Sequence, residues 1–122
     1  MFTQNIVSHI IVSINSLQEQ TMSDKYEYNR ITIRPSTEVG FYKWPDAFEE
    51  YVKTNFTDTG KRLSFDISYS EDGLTETRHS VWRSFLDWIE FCEDIPCFDV
   101  WNERDLYESD HNITAYREEL DT

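Results

Sequence analysis

The sequence predicts an α+β domain, a small antiparallel sheet containing a β-hairpin over about residues 62–80 with two or three helices packed on it. Three observations lead there. Leu63, Phe65, Ile67 and Tyr69 alternate with Ser64, Asp66, Ser68 and Ser70, the period-two pattern of a strand with one buried face. Phe85, Trp88, Ile89, Cys92 and Ile95 fall on one arc at about 100° per residue, with Phe91 at its edge, the pattern of an amphipathic helix. Helix-like and strand-like stretches follow one another as helix, strand, helix, hairpin, helix, then a mixed tail, which suits helices laid on an antiparallel sheet. At 122 residues, 39% hydrophobic and 16% aromatic, the chain can bury one core without disulfides or a structural metal. That aromatic content also excludes a disordered acidic tail.

Residues 1–21 place Ile6, Val7, Ile10, Ile11, Ile14 and Leu17 at helical spacing. This amphipathic helix carries no Lys or Arg, so it resembles neither a signal peptide nor a membrane-surface helix, and Ser, Asn and His interrupt it too often for a membrane span. It offers a seam for a homodimer. Met22 is a second plausible start, which would make residues 1–21 a dispensable extension and 22–122 the single acidic α+β domain. Tyr26–Arg34 is β-branched and aromatic, hence a strand that Pro35 stops or places at an edge, and Val39–Tyr42 is a second extended piece. Pro45 and Asp46 open a helix striped by Phe48, Tyr51, Val52 and Phe56, which Thr59-Gly60 ends. After the strand over 63–70, the turn at Glu71-Asp72-Gly73 leads back through Leu74–His79. The next helix starts near Ser80 or at Ser84, where Asp87 three residues on resembles a capping box, and Pro96 terminates it. Cys97–Trp101 reads as a short strand, Asn102 as the cap of a helical turn over 103–107, and Ile113–Arg117 as a final strand or short helix.

The net charge is −13, unevenly placed: residues 85–122 hold 12 acids and 2 bases, while residues 1–84 hold 12 acids and 9 bases. Such charge steers cationic partners at long range and repels phosphates, so the chain is not expected to bind nucleic acid itself. The stretch Phe85–Asp110 threads aromatics between its acids. Asp87, Glu90, Glu93, Asp94, Asp99, Trp101, Glu103, Asp105, Tyr107, Glu108 and Asp110 are the candidate partner-binding residues, apolar burial giving affinity and charge giving steering. The expected partner is a basic protein, a nucleic-acid-binding enzyme or defence complex. In size, acidity and aromatic content the chain resembles phage-encoded DNA-mimic inhibitors, a resemblance that rests on no motif and transfers no residues. It implies an anti-restriction or anti-CRISPR type of inhibitor in a host cytoplasm. An immunity protein or antitoxin against a basic nuclease toxin demands the same physics, and an acidic scaffold subunit is the alternative of another class.

No enzyme is expected. His9, His79 and His111 lack partners at metal or catalytic spacing, and neither a phosphate loop nor a nucleophile elbow is present. The nearest approach to a metal-nuclease site is Asp66 with Glu76 and Arg78 across the hairpin, a pattern more often made by surface charges. Cys92 and Cys97 fit neither zinc nor redox spacing and are read as packing residues in a reducing compartment. Neither cofactor nor metal is expected, and no membrane partner.

Overall fold

The computed structural model describes residues 25–120; the helix expected over residues 1–21, and the dimer seam with it, lie outside the described residues. The elements are β1 (Tyr26–Ile33), α1 (Asp46–Val52) continued by a π-helical turn over Lys53–Thr57, β2 (Arg62–Tyr69), β3 (Thr75–Trp82), α2 (Phe85–Cys92), a 3₁₀ turn (Ile95–Cys97), α3 (Phe98–Asp110) and β4 (Thr114–Leu120). The strands form one antiparallel sheet in the order β2-β3-β1-β4, so the α+β architecture is as the sequence predicts. Register places Tyr26, Tyr28, Arg30 and Thr32 opposite Trp82, Ser80, Arg78 and Glu76. These side chains share the face that the helices cover.

The hydrophobic core lies between that face and the helices, built from Phe48, Val52 and Phe56 of the α1 segment, Trp82 of β3, Phe85, Trp88, Ile89 and Cys92 of α2, and Cys97 and Trp101. Rings run through it in contact: Phe56 on Trp82 at 6.0 Å, Trp82 stacked on Phe91 at 5.0 Å, and Phe91 edge-on to Trp101 at 5.4 Å between centroids. Each such pair adds about 0.5–1.5 kcal/mol beyond the area it buries. The helix stripes read from the sequence are therefore the ones that pack, except at Ile95: the helix ends at Cys92 rather than at Pro96, and Ile95 in the following 3₁₀ turn is exposed. Ser84 caps α2 as its side chain accepts from the Asp87 amide at 3.1 Å, whereas Ser80 lies inside β3.

Three elements depart from expectation. Cys97–Trp101 is not a strand and Asn102 caps nothing, because α3 is one continuous helix of 13 residues. Val39–Tyr42 is not a strand either; side chains pin it as a loop, with the Tyr107 hydroxyl donating to the Gly40 carbonyl at 2.7 Å and Arg34 bridging the Gly73 and Val39 carbonyls at 2.7 and 3.0 Å. In β2 the alternation holds for Phe65, Ile67 and Tyr69 but not for Leu63, which falls in a bulge and is exposed, and the burial is incomplete. A bulge at Leu63 pairs Arg62 with Trp82, and Ile67 and Tyr69, on the helix-facing side, stay exposed because β2 is an edge strand that the helices do not reach across. The hairpin turn takes Gly73 through φ 74°, a conformation suited to glycine. Asn112 takes φ 58° just past α3, letting the Ile113 amide return to the Glu108 carbonyl at 2.8 Å and close the helix end.

Candidate functional site

The acidic stretch divides by helix geometry. At 100° per residue, Asp99, Glu103, Leu106 and Asp110 of α3 fall within an arc of about 60°, while Trp101, Arg104 and Glu108 point the other way. Burial follows that division: the first four are exposed and the other three are buried. On α2, Leu86, Glu90 and Glu93 form the corresponding outer stripe. Leu86, Leu106 and Ile95 are exposed apolar side chains among these acids. Sequence reading passed over the two leucines, because an isolated leucine carries no signal until its neighbours on the helix face are known, and it placed Ile95 on the buried arc, from which the chain departs when α2 ends at Cys92.

Three of the candidate residues belong to the interior instead. Asp87 is buried, and Arg83 binds both its carboxylate oxygens at 2.7 and 3.0 Å. That guanidinium hydrogen bond, assisted by Ser84, holds the Asp87 carboxyl below its usual range against the opposing effect of burial. Glu108 is buried against Arg30, with bonds of 2.9 and 3.2 Å. Trp101 packs in the core between Phe91 and Phe98. They hold the fold, and in this structure they present nothing to a partner.

The others are at least partly accessible but differ in what holds them. Asp94, half-buried, accepts from the Tyr51 hydroxyl at 2.8 Å, which pushes the phenol up to about 12, and from Cys97 Sγ. Glu103 accepts from Tyr42 at 3.0 Å; burial first, then this bond, pushes the Tyr42 phenol up to about 12. Glu90 pairs with Lys61, Asp105 pairs with Arg104, and Tyr107 is tied to Gly40. Glu93, Asp99 and Asp110 are exposed, and their carboxylates make no hydrogen bond or ion pair among the described residues.

The bases have gone inward. Arg78, Arg30 and Arg117 stand side by side on β3, β1 and β4, on the helix-facing side of the sheet. Arg62 and Arg104 join them in the same layer, so five of the 11 bases lie between sheet and helices. Like charges opposite one another destabilise a sheet unless something intervenes. Arg78 reaches Glu49 at 3.2 Å and lies 4.4 Å over the Trp44 ring, Arg30 takes Glu108, and Arg62 lies 4.5 Å over Phe65 while bonding Thr57. Burial lowers the pKa of Arg62, Arg78 and Arg104, yet a guanidinium starts so high that all three remain cationic.

Asp66 and the Glu76–Arg78 pair do not converge. Glu76 and Arg78 face the helices, while Asp66 projects from the opposite face, near His79 and Glu27. Among the described residues no group of three or more His, Cys, Asp or Glu side chains has metal-binding geometry. Cys92 and Cys97 are free and buried, as packing residues would be. No described helix is long and apolar enough to cross a membrane. No protein-family model matches the chain, and no curated protein or solved structure shows significant similarity to it.

Proposed function

We propose that this chain is an acidic inhibitor that occupies the basic nucleic-acid-binding surface of a target protein, in the manner of a DNA mimic. The observation that carries this reading is the sorting of charge: five arginines lie between sheet and helices, while Asp99, Glu103 and Asp110 stand outward along one face of α3. At 1.5 Å per residue, the first two are about 6 Å apart along the axis and the last two about 10.5 Å, sparser than the charges of a nucleic-acid backbone strand but of the same sign and in one line. Leu106 sits within that stripe, 67% exposed, and supplies apolar surface where charge alone would give steering without affinity. A phage-encoded anti-restriction or anti-CRISPR protein acting in a host cytoplasm is the setting this chemistry fits.

The test is capture of partners from host lysate at low and high salt, with the wild-type chain and with a triple variant Glu93→Lys, Asp99→Lys, Asp110→Lys. Those three carboxylates have no partner within the described fold, so reversing them alters the surface without cutting an internal bond. The expected result is a basic nucleic-acid-binding protein, released by added DNA and by salt, whose affinity for the triple variant falls at least tenfold. Recovery of one nuclease toxin encoded beside the chain would instead identify an immunity protein. Unchanged binding by the triple variant overturns the acidic face as the interface.

A further inference from the structure

Between the β1–β4 half of the sheet and helices α2 and α3 lies a cavity of about 620 Å³, within the range of small-molecule sites. Tyr28, Trp88, Phe91 and Trp101 form its aromatic walls, and Ala115 and Ile113 add apolar lining. Three guanidiniums and two carboxylates also line it, so it carries one cation in excess. Glu108 binds Arg30 through both oxygens, and Asp105 takes Arg104 at 3.0 and 3.1 Å. Arg117 has no carboxylate among the described residues. Its guanidinium lies 4.3 Å over the Trp88 ring, and its Nε is sealed from solvent with no hydrogen-bond partner. Glu119, on the same face of β4, accepts from Tyr26 instead. The two Nη groups are neither sealed nor hydrogen-bonded to the described residues, and they offer two parallel donors suited to a carboxylate, which would supply the charge partner this side chain does not find in the described fold.

We propose that this cavity binds a small organic monoanion, a flat apolar body carrying one carboxylate, with the carboxylate on Arg117 and the body among Trp88, Phe91 and Trp101. The single excess cation selects the charge: a phosphate dianion would bring a second negative charge beside Asp105 and Glu108 with no further cation to meet it. The cavity lies on the inner side of α3, so the proposal is independent of the outer acidic face.

The probes are 1-naphthoate, its neutral amide 1-naphthamide, and 1-naphthyl phosphate, added to the full chain. Binding is read by titration calorimetry and by quenching of tryptophan fluorescence, to which Trp88 and Trp101 report directly. The naphthoate is expected to bind at least tenfold more tightly than either the amide or the phosphate. Arg117→Gln, checked for folding by circular dichroism, is expected to lose that tenfold preference over the amide. Ala115→Leu, which narrows the cavity without altering charge, is expected to weaken naphthoate binding at least fivefold. Equal affinity for acid and amide, tighter binding of the phosphate, or naphthoate binding undiminished by Ala115→Leu overturns the proposal. So does absence of binding up to roughly millimolar ligand, as when the cavity seats a peptide segment instead; the unaltered protein suffices for that outcome.

Discussion

Glu108→Gln separates the carboxylates that hold the fold from those that face outward. The Glu108 side chain is 8% exposed and that of its partner Arg30 is 18% exposed, and they share two hydrogen bonds of 2.9 and 3.2 Å. Without the carboxylate charge, Arg30 remains beneath the helices with Arg78 on one neighbouring strand and Arg117 on the other. Removing one partner of a buried ion pair costs about 3–5 kcal/mol, and the amide keeps part of the hydrogen bonding, so the lower end applies. With an m-value of about 2 kcal/mol/M in urea, a loss of about 3 kcal/mol moves the unfolding midpoint down by about 1.5 M. Equilibrium urea unfolding followed by tryptophan fluorescence measures this. Asp110→Asn, at an exposed side chain on the same helix, should stay within about 0.5 kcal/mol of wild type. The paired replacement Arg30→Met with Glu108→Leu should recover much of the loss, since apolar side chains of similar size often serve a buried pair's site as well. If the Glu108→Gln midpoint moves by less than about 0.3 M, the ion pair does not stabilise the layer as argued.

Other perturbations test separate parts of the same framework. Ser84→Ala removes the side-chain acceptor of the Asp87 amide and should destabilise by about 1 kcal/mol, seen as a fall of about 3–5 °C in Tm in a thermal melt. The hydrogen bond to Glu27 raises the pKa of His79 above 6.5, with Asp66 adding to it and burial opposing it. The stability this contributes should be fully present below pH 6.5 and lost as pH rises through the folded-state pKa. NMR titration of His79 should show the raised value, and His79→Gln should flatten the stability profile in that window. Burial raises the pKa of both thiols, that of Cys97 to about 12, so neither should react with a disulfide reagent at pH 8 in the folded chain and both should react in urea. Rapid labelling of the native protein would contradict this packing.

Elements whose buried face is apolar were legible in the sequence, and elements whose buried face is charged were not. Phe48, Val52 and Phe56 announced α1, and Phe85, Trp88, Ile89 and Cys92 announced α2, because hydrophobic periodicity and burial coincide there. In α3 the inward residues are Trp101, Arg104 and Glu108; two of the three are charged, so the helix has no apolar stripe to find. The inner face of β3, Glu76, Arg78, Ser80 and Trp82, hid the length of that strand in the same way, leaving Ser80 to read as a helix start. For the candidate site, composition located the acidic segment, but the inward turn of Asp87 and Glu108 depended on Arg83, close in sequence, and on Arg30, which the sheet brings from 78 residues away. Arg117 gave no signal as a lining residue of the cavity, since what sets it apart is that no carboxylate among the described residues meets it.

The arginine row has a consequence for how the chain behaves as a polyelectrolyte. Unfolded at neutral pH it would keep its net charge of −13, with most of it spread along the flexible strand of residues 85–122 rather than held on one surface. Folding draws the guanidiniums of β3, β1 and β4 under a lid of helices and leaves carboxylates facing water. The tertiary structure thus concentrates at the surface a negative charge that the sequence already carries, and melting the sheet would disperse that charge without titrating a single group.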